Sequence, residues 1–273
     1  MKIALYYRHG SERVDALKRR LREKGATLVC FGEDFSSWED LPADTELFLS
    51  LGGDGTLLAS LTLVRDRGIP VAGINAGHLG FLTTARAEED DQWIDALLEG
   101  RYTVEERSLL RVTCAGLPDD FYPFALNEVS LQRRGASMLS VEVSIDGRTL
   151  PTYWADGLVA ATPTGSTAYN LSVGGPVVMP SSAVMVIAPI APHNLNVRPL
   201  VVPMDAAVTL TFHSRERGAL LTLDNRSCEL PSGTTVQLSR GRYGLRYVSL
   251  SNDNFIHALR TKLFWGEDRR NAH

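Results

Sequence analysis

At 273 residues with 44% hydrophobic side chains, the chain can bury one large core or two ordinary ones, and two lobes are expected. Lys plus Arg number 28 against 32 Asp plus Glu, a formal net charge of -4, so no global basic field points to nucleic acid or an anionic membrane. Three isolated cysteines, Cys30, Cys114 and Cys228, exclude a disulfide framework or a Cys-x-x-Cys pair and suit a cytoplasmic protein, and no apolar run reaches a signal-peptide core or the ~18 residues of a spanning helix.

In chain order, "KIALYY" reads as a buried strand and "SERVDALKRRLREKG" as a helix with Val14, Leu17 and Leu21 at helical spacing, Gly25 past its end and "KRRLREK" on its wet face. "TLVCF" and "ELFLSL" follow as strands. A glycine stretch then leads into a helix carrying Leu57, Leu58, Leu61 and Val64; "IPVAGIN" is a further strand and "EEDDQWIDALLEG" a further helix. This alternation predicts a parallel sheet with helices on its faces over residues 1–104. Residues 105–250 change texture to short β-rich runs, many alternating with period two, with an Asp-Gly hairpin signal in "SIDGRT". The fold class is therefore α/β: an N-terminal lobe with a parallel sheet, a β-rich, sandwich-like second lobe, and a helix in 251–273 that returns to the first lobe. On that helix Phe255, Ile256, Leu259 and Leu263 are expected on one side.

Three features carry chemistry. In "LFLSLGGDGTLLASL" a strand, a glycine loop and a helix aim backbone N-H groups at an anion, and glycines let a phosphate approach the backbone. Neither G-x-x-x-x-G-K-[ST] nor G-x-G-x-x-G occurs in the chain. Where the Walker lysine would be expected to neutralise charge stands Asp54, between Gly53 and Gly55. It is either a proton acceptor for an attacking hydroxyl or an Asx-turn or helix-cap residue. "ADGLVAATPTGSTAYNLSVGGP" offers hydroxyls and N-H groups at a helix start, with Tyr169 for a flat ring, or is simply a loop of turn formers. In "FALNEVSL", Asn127 and Glu128 interrupt a run that wants burial; they either bond a sugar's two hydroxyls or form an internal hydrogen-bond pair at a domain junction.

Taken together with "INAGHLGFL" and "IAPHNLNVRPL", these stretches resemble, in order and spacing, the NAD kinase family, relatives of the diacylglycerol kinases and phosphofructokinases, and "LRTKLFW" looks like the family's tail. The resemblance implies ATP-dependent phosphorylation of the 2'-hydroxyl of the adenosine ribose of NAD to NADP, with a divalent cation, Mg2+, and a site in the cleft of a two-lobed fold. Residue by residue it implies Asp54 as proton acceptor with Gly53 and Gly55 in its loop, and Asn127 and Glu128 on the nicotinamide-side ribose. Asp156 is implied at the carboxamide, Thr164, Thr167, Ala168, Tyr169 and Ser172 around the adenine, ribose and nicotinamide ring, and Phe81 on the adenine side or, as plainly, in the core. Ala191 corresponds to a position near a neighbouring subunit's ligand, which implies a homodimer or homotetramer.

One stretch departs from the family pattern: Asp224-Asn225-Arg226 stands where Asp-Gly-Gln is often found, so a ligand contact at Asp224 is only a weak expectation. Arg8 and His9, after the first strand, could meet ATP phosphates or form a plain surface loop. The histidines show no metal-ligand spacing, so no zinc site is expected. Two other functions fit part of the pattern. A diacylglycerol-type lipid kinase would share the glycine-aspartate loop and bind vesicles, and a non-catalytic dinucleotide sensor would bind NAD or NADP without releasing ADP from ATP.

Overall fold

The computed structural model describes residues 1–75, 80–83, 90–250 and 255–265, with residues 90 and 91 described by backbone alone. The chain divides into two units: Met1–Glu106 together with Leu245–His273, and Arg107–Gly244.

In the first unit the apolar runs of the N-terminal sequence are strands β1 (Lys2–Tyr7), β2 (Thr27–Cys30), β3 (Leu47–Gly52) and β4 (Val71–Asn75), joined by α1 (Glu12–Glu23) and α2 (Asp54–Val64), with α3 (Asp90–Leu98) following β4. β1 pairs in parallel with β2 on one side and β3 on the other, and β3 pairs in parallel with β4. The chain winds from β1 outward to β2, then resumes at β3 and winds the other way, so β1 and β3 flank a topological switch point at their carboxyl ends. Two-sided burial explains the near-continuous hydrophobicity of these strands: Ile3, Leu5, Leu47, Phe48, Leu49, Val71 and Ile74 are all buried.

Ser11 caps α1, accepting from the Val14 N-H at 3.3 Å, and Val14, Leu17 and Leu21 face the sheet as their spacing predicts. Lys18 departs from the expected wet face. It is buried, its ammonium bonded to Glu33 at 2.5 Å and the Tyr7 hydroxyl at 2.9 Å, because its stem extends across the end of β1 to a carboxylate on the loop after β2.

The sheet is completed from the far end of the sequence. β19 (Leu245–Ser249) lies between β4 and β5 (Thr103–Arg107), in parallel register with β4 through Tyr247 and Val71. The expected second-lobe boundary at residue 250 therefore moves to 244: "YVSLS" has the same texture as the β-rich runs before it, and its pairing with β4 is not local information. α5 (Phe255–Leu263) also belongs to this unit, with Ala258 and Leu259 buried and the Phe255 ring 6.2 Å from that of Phe81. Ile256, expected on the inner side, is 47% exposed, since the inward stripe runs through positions 255, 258, 259 and 262.

The second unit is a sandwich. One sheet has the order β10-β9-β15-β18-β6-β7, with β11 also paired to β9, and the other has the order β14-β13-β12-β8-β16-β17. In residues these are, for the first sheet, β6 (Leu110–Cys114), β7 (Phe124–Ala125), β9 (Leu139–Ile145), β10 (Arg148–Thr149), β11 (Tyr153–Ala155), β15 (Val208–His213) and β18 (Thr235–Arg240). The second contains β8 (Glu128–Arg133), β12 (Gly157–Ala161), β13 (Val184–Ile190), β14 (Leu200–Pro203), β16 (Gly218–Leu223) and β17 (Arg226–Pro231). Alternate residues from both sheets, among them Val141, Val143, Leu210, Phe212, Leu131, Leu158, Ile187 and Leu221, make a single core. The Asp-Gly signal is realised as the β9–β10 hairpin, with positive φ at both Asp146 and Gly147.

β12 and β13 are buried on their second face as well, where Val159, Ala161, Val186 and Ala188 pack with Tyr169, Val173 and Val178. That outer cover is the threonine-rich segment, a 3-10 turn (Thr164–Thr167) and the short helix α4 (Tyr169–Ser172). The helix start expected in this stretch is thus a 3-10 turn first, and the helix proper begins at Tyr169.

Candidate active site

The residues singled out in the sequence fall into two clusters, one in each unit. In the first unit β3 ends at Gly52, and Gly53 takes the N-cap position of α2 with extended backbone and no side chain to cap it. Thr56 N-H bonds Gly53 O at 2.8 Å, while the space beside Gly53 is open and the nearest atom to a Cβ on Gly55 would be an Arg8 guanidinium nitrogen 3.9 Å away. Both glycines leave the backbone uncovered, as an approaching phosphate requires.

Asp54 reaches further than the Asx turn or helix cap that the sequence allowed. Its carboxylate crosses to residues 80–83: Phe81 N-H donates to Oδ2 at 2.7 Å, and Leu82 N-H and the Thr83 hydroxyl both donate to Oδ1 at 3.0 Å. Gly80 is required by this arrangement, because a Cβ there would lie 1.7 Å from Asp54 Oδ1. Each carboxylate oxygen offers two lone pairs, so Oδ1 is saturated and Oδ2 keeps one acceptor position open. Asp54 is half-buried, so that position is within reach of a ligand.

Phe81, also half-buried, lies with its ring against Phe255 and with Lys262 Nζ 4.6 Å from its centroid, an arrangement intermediate between a core side chain and an open contact. Arg8 donates from Nη2 to Gly55 O at 2.8 Å, tying the loop after β1 to the start of α2, while His9 is exposed.

In the second unit β8 opens at Glu128, and the preceding turn is bound from three directions. Asp224 accepts from the backbone N-H groups of Leu126, Asn127 and Glu128 at 2.9, 2.8 and 3.3 Å. Thr162 donates its hydroxyl to Leu126 O at 2.5 Å and its N-H to Asn127 O at 2.8 Å. Gly165 packs so close that a Cβ would lie 2.1 Å from Asn127 O.

The turn so held presents Asn127 Oδ1 and Glu128 Oε2, two buried acceptors with no hydrogen-bond partner. Burial raises the Glu128 carboxyl from 4.5 to about 8, with the Asp224 charge adding to it and the Tyr169 N-H opposing it. Buried acceptors left open in this way call for hydrogen-bond donors.

The weakly expected ligand contact at Asp224 gives way to a structural one. Its carboxylate has no accessible surface, and it stands behind the Asn127–Glu128 turn, on a residue with φ 53, just after β16. Arg226, the departure from the family pattern, compensates it. Nη2 lies 3.7 Å from Asp224 Oδ2, and the guanidinium donates to Tyr122 O and Phe124 O, both at 2.6 Å. Burial drives the Asp224 carboxyl upward and the Arg226 guanidinium downward, in each case against the partner's charge.

Asp156 sits just before β12 and is half-buried, its Oδ1 2.6 Å from Arg133 Nε. The Tyr169 hydroxyl is pushed upward by burial first and by the charges of Glu128 and Asp156 after it, which brings these three residues into one electrostatic neighbourhood. Thr164 is buried; Thr167, Ala168 and Tyr169 are half-buried along the same segment, and Ser172 is exposed at its end. Ala191 follows β13, exposed and with φ 44, a left-handed backbone that costs an L-residue about 1 kcal/mol.

Family models for the ATP-NAD kinase N-terminal domain and the ATP-NAD kinase C-terminal domain match residues 37–102 and 126–250. The chain belongs to the NAD kinase family. Among curated members, the NAD kinase of Flavobacterium psychrophilum is 42% identical over 242 residues, 88% of this chain and 82% of its own. That of Porphyromonas gingivalis strain ATCC 33277 is 42% identical over 284 residues, 97% and 98% of the two chains. Among solved structures, an Archaeoglobus fulgidus NAD kinase in complex with ATP aligns with TM-score 0.79 at 28% identity, over 97% of this chain and 99% of its own. Yeast NADH kinase complexed with NADH shares the fold, with TM-score 0.89 at 22% identity over 100% and 89%. The N-terminal α/β and β-rich second architecture read from the sequence is thus the NAD kinase architecture.

Several residues that brace these side chains carry no motif of their own in the sequence. Thr83 and Gly80 secure Asp54, Thr162 braces the Asn127–Glu128 turn, and Arg133 pairs with Asp156. Asn170 is fully buried, donating to Ser166 O and Pro176 O, both at 3.0 Å, and so closes the threonine-rich segment on itself. A polar residue in a run that otherwise wants burial was the available signal for Thr162 and Asn170.

Proposed function

We propose that this chain transfers the γ-phosphoryl group of ATP to the 2'-hydroxyl of the adenosine ribose of NAD, releasing NADP and ADP. The observation that supports the chemistry most directly is the open acceptor position on Asp54 Oδ2 beside the uncovered glycines at the start of α2. In the transfer the ribose 2'-oxygen forms a bond to Pγ as the bond from Pγ to the β–γ bridging oxygen breaks. The bonding pair leaves with ADP, and the hydroxyl proton passes to Asp54 Oδ2. The remaining hydrogen bonds on the carboxylate keep Oδ2 aimed.

In this reading Asn127 and Glu128 accept from the two hydroxyls of the nicotinamide-side ribose, Asp156 meets the carboxamide, and Thr164, Thr167, Ala168, Tyr169 and Ser172 line the dinucleotide, with Phe81 on the adenine side. Gly53 and Gly55 serve the donor phosphates. Asp224 acts by holding the turn.

The donor set suits a Mg2+ that arrives on ATP. Among the described residues the three ligand atoms close enough together to take a cation are those of Cys30, Glu33 and Asp34; there Glu33 is committed to Lys18 and Tyr7, and Asp34 to the Cys30 N-H at 2.6 Å. Asp54 offers one open oxygen position, which matches an ion carried mainly by substrate phosphates and water. Such an ion supplies charge neutralisation on the phosphates. The exposed, left-handed Ala191 is the position through which a homodimer or homotetramer is expected to bring a second subunit near a ligand. Among the described residues no helix is long and apolar enough to cross a membrane.

The test is NADP formation from NAD and MgATP, read through an NADP-specific dehydrogenase. Asp54→Asn lowers turnover by roughly 10² or more while NAD still binds. Thr83→Ala, which removes one of the three bonds to the carboxylate, separates loss of the base from loss of its support and leaves turnover within about tenfold. Undiminished turnover in Asp54→Asn refutes the assignment. A protein that binds NAD yet releases no ADP from ATP is the sensor instead.

A further inference from the structure

The glycine loop lacks the lysine that phosphate-binding loops of the Walker type carry, yet the fold brings a lysine to Asp54 from the other end of the sequence. Lys262, on the last turn of α5, is half-buried with Nζ 4.6 Å from the Phe81 ring centroid. Phe81 is the residue whose N-H is bonded to Asp54 Oδ2. Burial lowers the Lys262 ammonium and the Asp54 charge opposes that, so the two charges are within electrostatic reach.

A ring face orients an ammonium but does not accept its three hydrogen bonds. Among the described residues no oxygen takes one. Asp54, the neighbouring anion, already accepts three bonds and has one position open, which the proposed mechanism uses. Arg8, a second cation at this loop, directs Nη2 to Gly55 O. What remains is an ammonium with its donors uncommitted, beside a carboxylate that would otherwise repel the phosphates it must serve. We infer that Lys262 is a catalytic residue that bonds the γ-phosphoryl group of the donor, neutralising charge where a Walker lysine would in other folds.

This rests on the kinase reading above. Lys262 compensates the repulsion between Asp54 and the incoming triphosphate, and it takes up charge on the equatorial oxygens as the β–γ bond loosens. Its position on α5 makes the donor site complete only when the C-terminal helix is docked, with the Phe81 ring holding the ammonium over the loop.

The experiment compares Lys262→Met, which keeps the stem that packs on Phe81, with Lys262→Arg, in three measurements: NADP formation, and direct titration of MgATP and of NAD separately. Lys262→Met is expected to lower kcat about 10²-fold, the scale for removing one preorganised charge donor, and to weaken MgATP at least about tenfold. NAD affinity stays within about twofold, and Lys262→Arg recovers most of the MgATP affinity. The inference is overturned if Lys262→Met binds MgATP and turns over within about twofold of the parent protein. It is equally overturned if MgATP and NAD affinity fall together with the thermal midpoint, because Lys262 then only clips α5 to Phe81. A parent protein that forms no NADP refutes the kinase reading instead, and the MgATP titrations still decide the role of Lys262.

Discussion

Glu128→Gln separates two sources of stability in the second unit. The wild-type carboxyl, raised from 4.5 to about 8, keeps its proton in the native state through a range where the unfolded chain has lost it. Each pKa unit is 1.36 kcal/mol, so burial of the ionised form costs up to roughly 5 kcal/mol. The sign follows from proton counting. Below pH 4.5 both states hold the proton and the native state has its full stability. Between 4.5 and about 8 the unfolded state alone releases it, so stability falls as pH rises, and above about 8 the loss is complete. Asp224, also raised by burial, adds a slope of the same sign in both proteins. Glutamine keeps the shape and cannot ionise. Urea unfolding at pH 5 and pH 9 is expected to show Glu128→Gln gaining at least about 2 kcal/mol on the wild type between the two conditions. Stability curves that run parallel within about 0.5 kcal/mol would mean that Glu128 is ionised in the folded protein at neutral pH, and the account of its burial would be wrong.

In the proposed binding mode ribose hydroxyls donate to the ionised Glu128 carboxylate, so NAD is expected to bind more tightly as pH rises toward about 8 and to release a proton at neutral pH, measured by calorimetry in buffers of different ionisation enthalpy. Gly165→Ala forces a Cβ to within 2.1 Å of Asn127 O and should cost at least about 3 kcal/mol in urea unfolding, together with NAD affinity. Asp224→Ala strips three backbone donors and the Arg226 charge of their partner, a loss of about 3–5 kcal/mol; if its stability stays within about 1 kcal/mol of wild type, the carboxylate is not the brace of the turn. Arg133→Met leaves Asp156 without its ion pair and should weaken NAD severalfold while leaving MgATP affinity unchanged, in paired titrations.

Much of this molecule was legible one residue at a time. The parallel order of β1 to β4 follows from apolar runs alternating with capped helices, and the Asp146-Gly147 hairpin from a turn that needs positive φ. What sequence could not give was pairing at long range. Nothing in "YVSLS" says that it joins β4 and not another strand of the sandwich, and nothing in Lys18 says that its stem crosses to Glu33. The site divides in the same way. Asn127 and Glu128 stood out because polar groups in an apolar run need partners, but the partner of Asp54 was 27 to 29 residues away, and Asp224 could be read as a ligand contact only because its complete burial was invisible.

The late return of the polypeptide to its first sheet has a bearing on biogenesis. A ribosome adding about 5–20 residues per second exposes the strands of the opening segment long before it makes the one that belongs between β4 and β5. Residues 107–244 are complete sooner than their neighbour, although they are translated after most of it. The half made first must therefore wait with an unfilled slot at the margin of β4, and chaperone protection or a premature stop near codon 240 would act on that half before any other.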